Sequence, residues 1–270
     1  MTPLVASRPP DWVERLVLDR PGDFDVLTVS IPDVDALTTP RFSEEVESAY
    51  QHLGRQIQRR RRHPLRIWNF VPGIQTPTTD GDRYMAFNTG RLAAYRDWFG
   101  SLEAMAGGMP TASAVGTSDA ALWIHVLVAD TPGRPVENPR QVPAYRYSRR
   151  FGTHPPCFAR GTLFESQLFI GGTASIVGED SRHCGSIEDQ ARETLINIAA
   201  LIASAGGCCE SAALERLEQV RVHVREPRHA SVVRRMLAES ALGAARVEMV
   251  EAQLCRPELL VEIEGHASCA

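Results

Sequence analysis

Two stretches of this chain repeat one order of elements: short strands rich in β-branched residues, followed by a long helix with a single apolar face. Each such element must bury that face, so the order calls for sheets covered by helices on one side. In the first stretch, residues 25–31 (DVLTVSI) read as a strand. Residues 43–59 then place Val46, Tyr50, Leu53 and Ile57 at three- and four-residue intervals, an amphipathic helix. Residues 66–70 (RIWNF) read as a buried strand stopped by Pro72-Gly73, and a helix over 82–100 and a strand over 122–128 follow. A Pro- and Gly-rich run at 131–143 marks the boundary between two units, 1–140 and 141–270.

The second stretch opens with an apolar strand over 163–170 that turns at Gly171-Gly172, and a polar loop covers 178–186. A helix over 187–205 follows, with Leu195, Ile198, Ala199 and Ile202 on its apolar face and Gly206 at its end. Strand, helix and strand are expected at 220–224, 230–240 and 246–250, and residues 259–264 (LLVEIE) close the unit as a last strand.

Composition narrows the function classes. At 270 residues there is room for two modest domains, and 43% hydrophobic with 23% charged residues is ordinary globular composition. A net charge of −4 gives no general pull toward nucleic acid. The run 59–62 (RRRR) closes a helix, where cations suit the dipole, and reads as a solvated helix end. No run approaches the roughly 20 apolar residues that span a bilayer. The opening 1–10 lacks the apolar core of a secretory signal. Six cysteines show neither CxxC nor paired Cys/His spacing, which fits buried thiols in a reducing cytoplasm and no zinc site. The vicinal pair Cys208-Cys209 follows Gly206-Gly207 and reads as a helix-terminal turn. Gly-rich phosphate loops, GxSxG elbows and HExxH pairs are all missing.

Residues 159–178 (ARGTLFESQLFIGGTASIVG), 190–206 (QARETLINIAALIASAG) and 259–265 (LLVEIEG) together resemble the RidA (YjgF) family over roughly 110 residues. The resemblance implies an α/β (α+β) fold: a mixed sheet with two helices on one face, and sites in clefts between units, often in trimers. Further pieces narrow it. Residues 68–74 (WNFVPGI), 83–91 (RYMAFNTGR), 135–141 (PVENPRQ), 144–147 (AYRY), 172–178 (GTASIVG) and Cys255-Arg256 are similar to the chorismatase family. That likeness implies two RidA-like units and cleavage of chorismate to pyruvate. The partner product is 3- or 4-hydroxybenzoate, or a dihydroxycyclohexadienoate. It implies no cofactor. Only 67 residues precede Trp68, fewer than the family carries, so the first unit is expected to be shortened. Self-association, as trimer or monomer, stays open.

Chorismate is a small dianion with an enol ether, and its cleavage needs cationic clamps plus a proton donor aimed at the enolpyruvyl methylene. Arginine suits the clamps, since its planar fork binds a carboxylate bidentately. Arg160, just before the first strand of the second unit, is the first choice, and Arg91 the second. Glu262 and Glu264 alternate with Val261 and Ile263, so both project from one face of the last strand. The resemblance points to Glu262 as general acid or as the group that positions the attacking water, and the acid's role needs a raised pKa. Glu264 and Tyr147 are expected to contact substrate, against bland readings as an outer carboxylate and a core aromatic. Glu251, shortly before Cys255-Arg256, is expected to act as a base on the ring and favour hydroxybenzoate. His125 and His183 read as packing and loop residues. Two other functions stay open: a RidA-like imine or enamine deaminase, and a non-catalytic ligand-binding or assembly protein.

Overall fold

The computed structural model describes residues 7–206, 208–242 and 245–269; residues 1–6 and Gly207, on which two readings above touch, lie outside them. The first sheet contains β1 (Phe24–Ile31), β2 (His63–Pro72), β3 (Thr111–Thr117) and β4 (Leu122–Ala129) in the order β1-β4-β2-β3. Its one parallel pair, β2 with β3, is joined across α3 (Arg83–Phe99) and α4 (Leu102–Gly108). Helix α1 (Asp11–Asp19) precedes β1, and α2 (Thr39–Arg60) follows it. Val46, Tyr50, Leu53 and Ile57 of α2, with Phe87, Leu92 and Tyr95 of α3, share a core with Ile67, Ile124 and Val126 of the sheet. The helix periodicity in the sequence therefore marks this core correctly.

The second sheet contains β5 (Arg134–Val136), β6 (Gly161–Phe164), β7 (Gln167–Ala174), β8 (Leu217–Val224), β9 (Arg246–Glu251) and β10 (Val261–Ser268), ordered β9-β8-β10-β7-β6-β5. Because β5 precedes residue 140, the chain passes from one sheet to the other at 130–133. Helices α5 (Ile187–Ala205) and α6 (Ala230–Glu239) cover one face: Ile198, Ile202, Val233 and Leu237 pack on Val220, Val222, Val261 and Ile263. The parallel pair β8/β9 is crossed by α6. Both helices on one face is the arrangement expected, and a doubly wound sheet would have split them.

The remaining faces of the two sheets meet, giving four layers: helices, sheet, sheet, helices. Trp68 and Phe70 of β2 pack with Phe164 and Phe169 of the second sheet, and Trp12 of α1 joins them. This explains why residues 66–70 read as a continuous apolar strand. Ile67 and Val71 face the helices while Trp68 and Phe70 face the other sheet, so neither side is wet.

Three local readings change. Gly171-Gly172 is no turn but lies inside β7; the chain turns at Glu165-Ser166, with Glu165 at φ 53°. A Cβ on Gly171 would stand 2.6 Å from Thr111 Oγ1 and 3.0 Å from the Ala112 carbonyl, so these glycines let the sheets approach. Strand β3 (TASAVGT) and helix α1 give too weak a pattern to be read beforehand, being composed of small residues and of a single short amphipathic turn pair. The arginine run is tied down at its end rather than free: Arg60 pairs with Asp25, and Arg62 with Asp130 and the carbonyls of Gly22 and Asp23.

Trp12 stacks on Phe169 at 5.8 Å between centroids and meets Trp68 edge-on at 5.9 Å. Trp12→Ala is expected to cost about 3–5 kcal/mol of unfolding free energy, the usual range for a large buried aromatic. Urea titration measures it.

Candidate active site

The two sheets do not fill the space between them. A cavity of about 200 Å³ remains, walled by α3 and β3 on one side, by β7 and β10 on the other, and by residues 147–158 and 255–258. Aromatic rings of Tyr84, Tyr147, Phe151 and Phe158 make much of its wall. Asp82 and Glu258 also reach it, but both are engaged: Asp82 accepts the Met85 N–H at the start of α3, and Glu258 accepts the Ser181 hydroxyl at 2.6 Å.

Three guanidinium groups line this cavity: Arg91, Arg160 and Arg256. All are buried, at 1%, 5% and 9% exposure, and among the described residues none has an ion pair with a carboxylate. Arg91 donates to Asn88 Oδ1 at 2.8 Å. Arg160 donates to Tyr147 Oη at 2.6 Å and to the Val142 carbonyl at 3.1 Å. Arg256 donates to the Glu179 carbonyl at 2.8 Å and lies 3.9 Å above the Phe151 ring. The Nε groups of Arg91 and Arg160 are buried without a partner. Buried cations without anions are costly, and an anionic ligand is what relieves that cost.

Glu262 faces them from β10. Its backbone neighbour on β7 is Ala174, and a Cβ on Gly172 would stand 2.0 Å from its Oε1, so only glycine leaves room for the carboxyl there. Burial pushes the Glu262 carboxyl well up, the Glu264 charge adds to this, and Arg66 and Arg160 oppose it. The shift favours the protonated form of Glu262, the form able to give a proton. Burial also pushes the Cys255 thiol up to about 12, with Glu262 adding to the effect, so Cys255 is no thiolate nucleophile.

Glu262, Arg160, Arg91 and Tyr147 thus meet around one cavity, as expected from the sequence. Glu264 and Glu251 do not. Glu264 lies outside the cavity wall, salt-bridged to Arg66 Nη2 at 2.5 Å and accepting the Ser113 hydroxyl at 2.6 Å. Alternation does place it on the same face as Glu262, but that face meets the first sheet there. Glu251 ends β9, the outer strand of the sheet, opposite Val224 and away from the cavity. The sequence distance to Cys255-Arg256 was short, yet the chain leaves the sheet in between. Arg256 was missed as a site residue although its motif was noted, and Ser113 and Gly172 carried no individual signal. Among the described residues no group of His, Cys, Asp and Glu is placed to hold a metal ion, and no single helix is long and apolar enough to cross a membrane.

Residues 11–128 match a family profile described as chorismatase FkbO/Hyg5-like, N-terminal. A 3-hydroxybenzoate synthase from Streptomyces hygroscopicus is 31% identical over 242 residues, which is 84% of this chain and 70% of that protein. A chorismatase from Streptomyces rapamycinicus is 35% identical over 212 residues, 74% of this chain and 62% of its own length. The chain belongs to the chorismatase family. A crystal structure of a chorismatase superposes with a TM-score of 0.81 at 28% identity, covering 92% of this chain and 76% of that one. The four-layer fold described above is thus the chorismatase fold.

A neutral buried Glu262 also has a stability consequence. Its folded pKa lies above the unfolded one, so its contribution is full below the ordinary carboxyl range and is lost as pH rises through the raised value. Glu262→Gln removes that loss. The melting-temperature gap between Glu262→Gln and the parent, measured by calorimetry, should widen in favour of the variant as pH rises from about 4 toward 8, the interval above the unfolded carboxyl pKa.

Proposed function

We propose that the protein cleaves chorismate, releasing pyruvate together with a hydroxybenzoate or a dihydroxycyclohexadienoate. The observation that carries this reading is three buried guanidiniums without carboxylate partners that share an aromatic-walled cavity with the buried Glu262 carboxyl. A rigid dianion satisfies the cations, and an enol ether gives the acid something to protonate. The names of its relatives, a 3-hydroxybenzoate synthase and a chorismatase, support the same substrate class.

In this scheme Arg160, with Tyr147 bonded to it, and Arg91 hold the two carboxylates, and Arg256 adds a third cation on the cavity wall. Glu262 gives its proton to the enolpyruvyl methylene carbon, which becomes the methyl group of pyruvate. The adjoining carbon, now cationic, takes an oxygen nucleophile. When that nucleophile is water, Glu262 as carboxylate recovers a proton from it, and the hemiketal collapses to pyruvate and the dihydroxy ring acid. Hydroxybenzoate and pyruvate together have the atoms of chorismate, so that outcome consumes no water overall. No metal or redox group enters either balance. With Glu251 outside the cavity, the ring-side base once expected of it has no support. The contributions of Arg91 from α3 and Ser113 from β3, both in the first unit, favour this reading over a deaminase built from one unit alone.

Incubation with chorismate, coupled to lactate dehydrogenase for pyruvate and followed by chromatography of the ring acid, tests the reading. Pyruvate release is expected from the parent protein; its absence at micromolar enzyme would overturn the assignment. Glu262→Gln should lower kcat by about 10²–10⁴-fold, the range for losing a general acid. Arg160→Ala should act mainly through KM, raising it about tenfold or more, as removal of a charged hydrogen-bonding partner does.

A further inference from the structure

The inner face of the second sheet carries charges that the scheme above does not use. Arg221 and His223 on β8 stand opposite Glu264 and Glu262 on β10, residue for residue, so all four project toward the first sheet. From that sheet Arg66 of β2 reaches across: it is 1% exposed and donates to Glu264 Oε2, to the Ser113 hydroxyl at 2.8 Å and to the Ile67 carbonyl at 2.7 Å. Arg221 is spoken for by Glu248 of β9 at 2.9 Å and by the carbonyls of Arg8 and Pro9. His223 Nε2 lies 3.5 Å from Glu264 Oε1, too long for a good hydrogen bond.

The charges in this compartment can be counted. Two buried carboxyls sit two residues apart on one strand, and among the described residues the one arginine paired with either of them, Arg66, is paired with Glu264. Among the described residues the Glu262 carboxyl has neither an ion pair nor a hydrogen bond, and its other charged or titratable surroundings are Arg160, Cys255 and Tyr84 at the cavity and His223 on β8. Two buried carboxyls of which only one is paired with an arginine cannot both ionise cheaply. The one that holds the arginine keeps the charge, and the other keeps the proton.

We propose that Glu264, clamped by Arg66 and Ser113, is a positioning residue whose fixed negative charge reserves the proton for Glu262. This rests on the reading of Glu262 as the proton donor. Burial opposes ionisation of Glu264, but Arg66, His223 and Arg221 outweigh it and hold this carboxyl low, while Glu262 beside it is held high. The division of labour is therefore set by the arginine's reach across the sheet interface. Exchanging which carboxyl the arginine touches would exchange their roles.

The test is the alkaline limb of kcat/KM against pH, together with the infrared band of the protonated Glu262 carboxyl. That band is assigned by its loss in Glu262→Gln and needs no substrate. In Glu264→Gln the freed Arg66 turns to Glu262, so both limb and band should move down by about one pH unit or more, a tenfold loss of activity above neutrality with little loss at low pH. Arg66→Met should move both upward, since two carboxyls without a cation hold their protons more tightly. Circular dichroism establishes which variants fold, and either one suffices, because a purely structural role would scale activity equally at every pH. Folded variants with unmoved limb and band would overturn the proposal, as would a parent band lost well below neutral pH. An active Glu262→Gln would instead overturn the assignment of the acid, leaving the band shifts to judge Glu264 separately.

Discussion

One buried ion pair, Arg66 with Glu264, joins the two sheets at the level of the cavity. It is made across 198 residues of chain, from the second strand of the first sheet to the last strand of the second. Neither partner is more than 2% exposed, so each depends on the other to be tolerated at all. Breaking such a pair by removing one member costs about 3–5 kcal/mol in general, because the survivor is left charged and dry. The pair therefore favours a packing of the sheets that brings these two residues together, and the cavity lies beside it. Ser113 belongs to both, bonded to Glu264 through its hydroxyl while its edge lines the cavity.

The interface around this pair is of two kinds. Under α1 it is aromatic and closed, with Trp12, Trp68 and Phe169 in contact and His266 against Trp12 at 4.6 Å. Toward residues 147–158 it opens, and the apolar filling gives way to guanidinium groups and a neutral carboxyl. The closed end supplies the hydrophobic stabilisation that the open end forgoes. Three buried arginines without paired acids, and one buried carboxyl without a paired cation, are each unfavourable taken singly. Their grouping at one place is what distinguishes a binding site from a defect of packing.

The segment between β5 and β6 of the second sheet also shapes the site. Residues 144–158 lie on this connection and bring Tyr147, Phe151 and Phe158 to the cavity. Arg150 holds this segment at the surface through Glu179 and Asp180, while Glu179 also accepts the Ser148 N–H at 2.8 Å. Arg256 is seated by the Glu179 carbonyl on one side and the Phe151 ring on the other. The third cation is thus positioned by loop residues, Glu179 and Phe151, and not by a strand of either sheet.

The sequence by itself determined the parts of this protein that depend on local periodicity and on short motifs. The 3.6-residue spacing in 43–59 and 187–205 marks helices and their buried faces, and β-branched runs mark strands, because side-chain direction along an element follows from backbone geometry alone. The spacing of Arg91, Tyr147, Arg160 and Glu262 within recognisable motifs was likewise legible, and they converge. What only the tertiary structure decided is how the two sheets face each other. Alternation put Glu262 and Glu264 on one face, but not which of them would meet a cavity and which an arginine 198 residues away. Proximity in sequence placed Glu251 near Cys255-Arg256, but a strand that ends at the outer edge of a sheet carries its last side chain away from the centre. Arg66, Ser113 and Gly172 look ordinary in a linear reading. Their roles arise from contact across an interface, and no local rule encodes a distance between residues that meet only when the sheets pack.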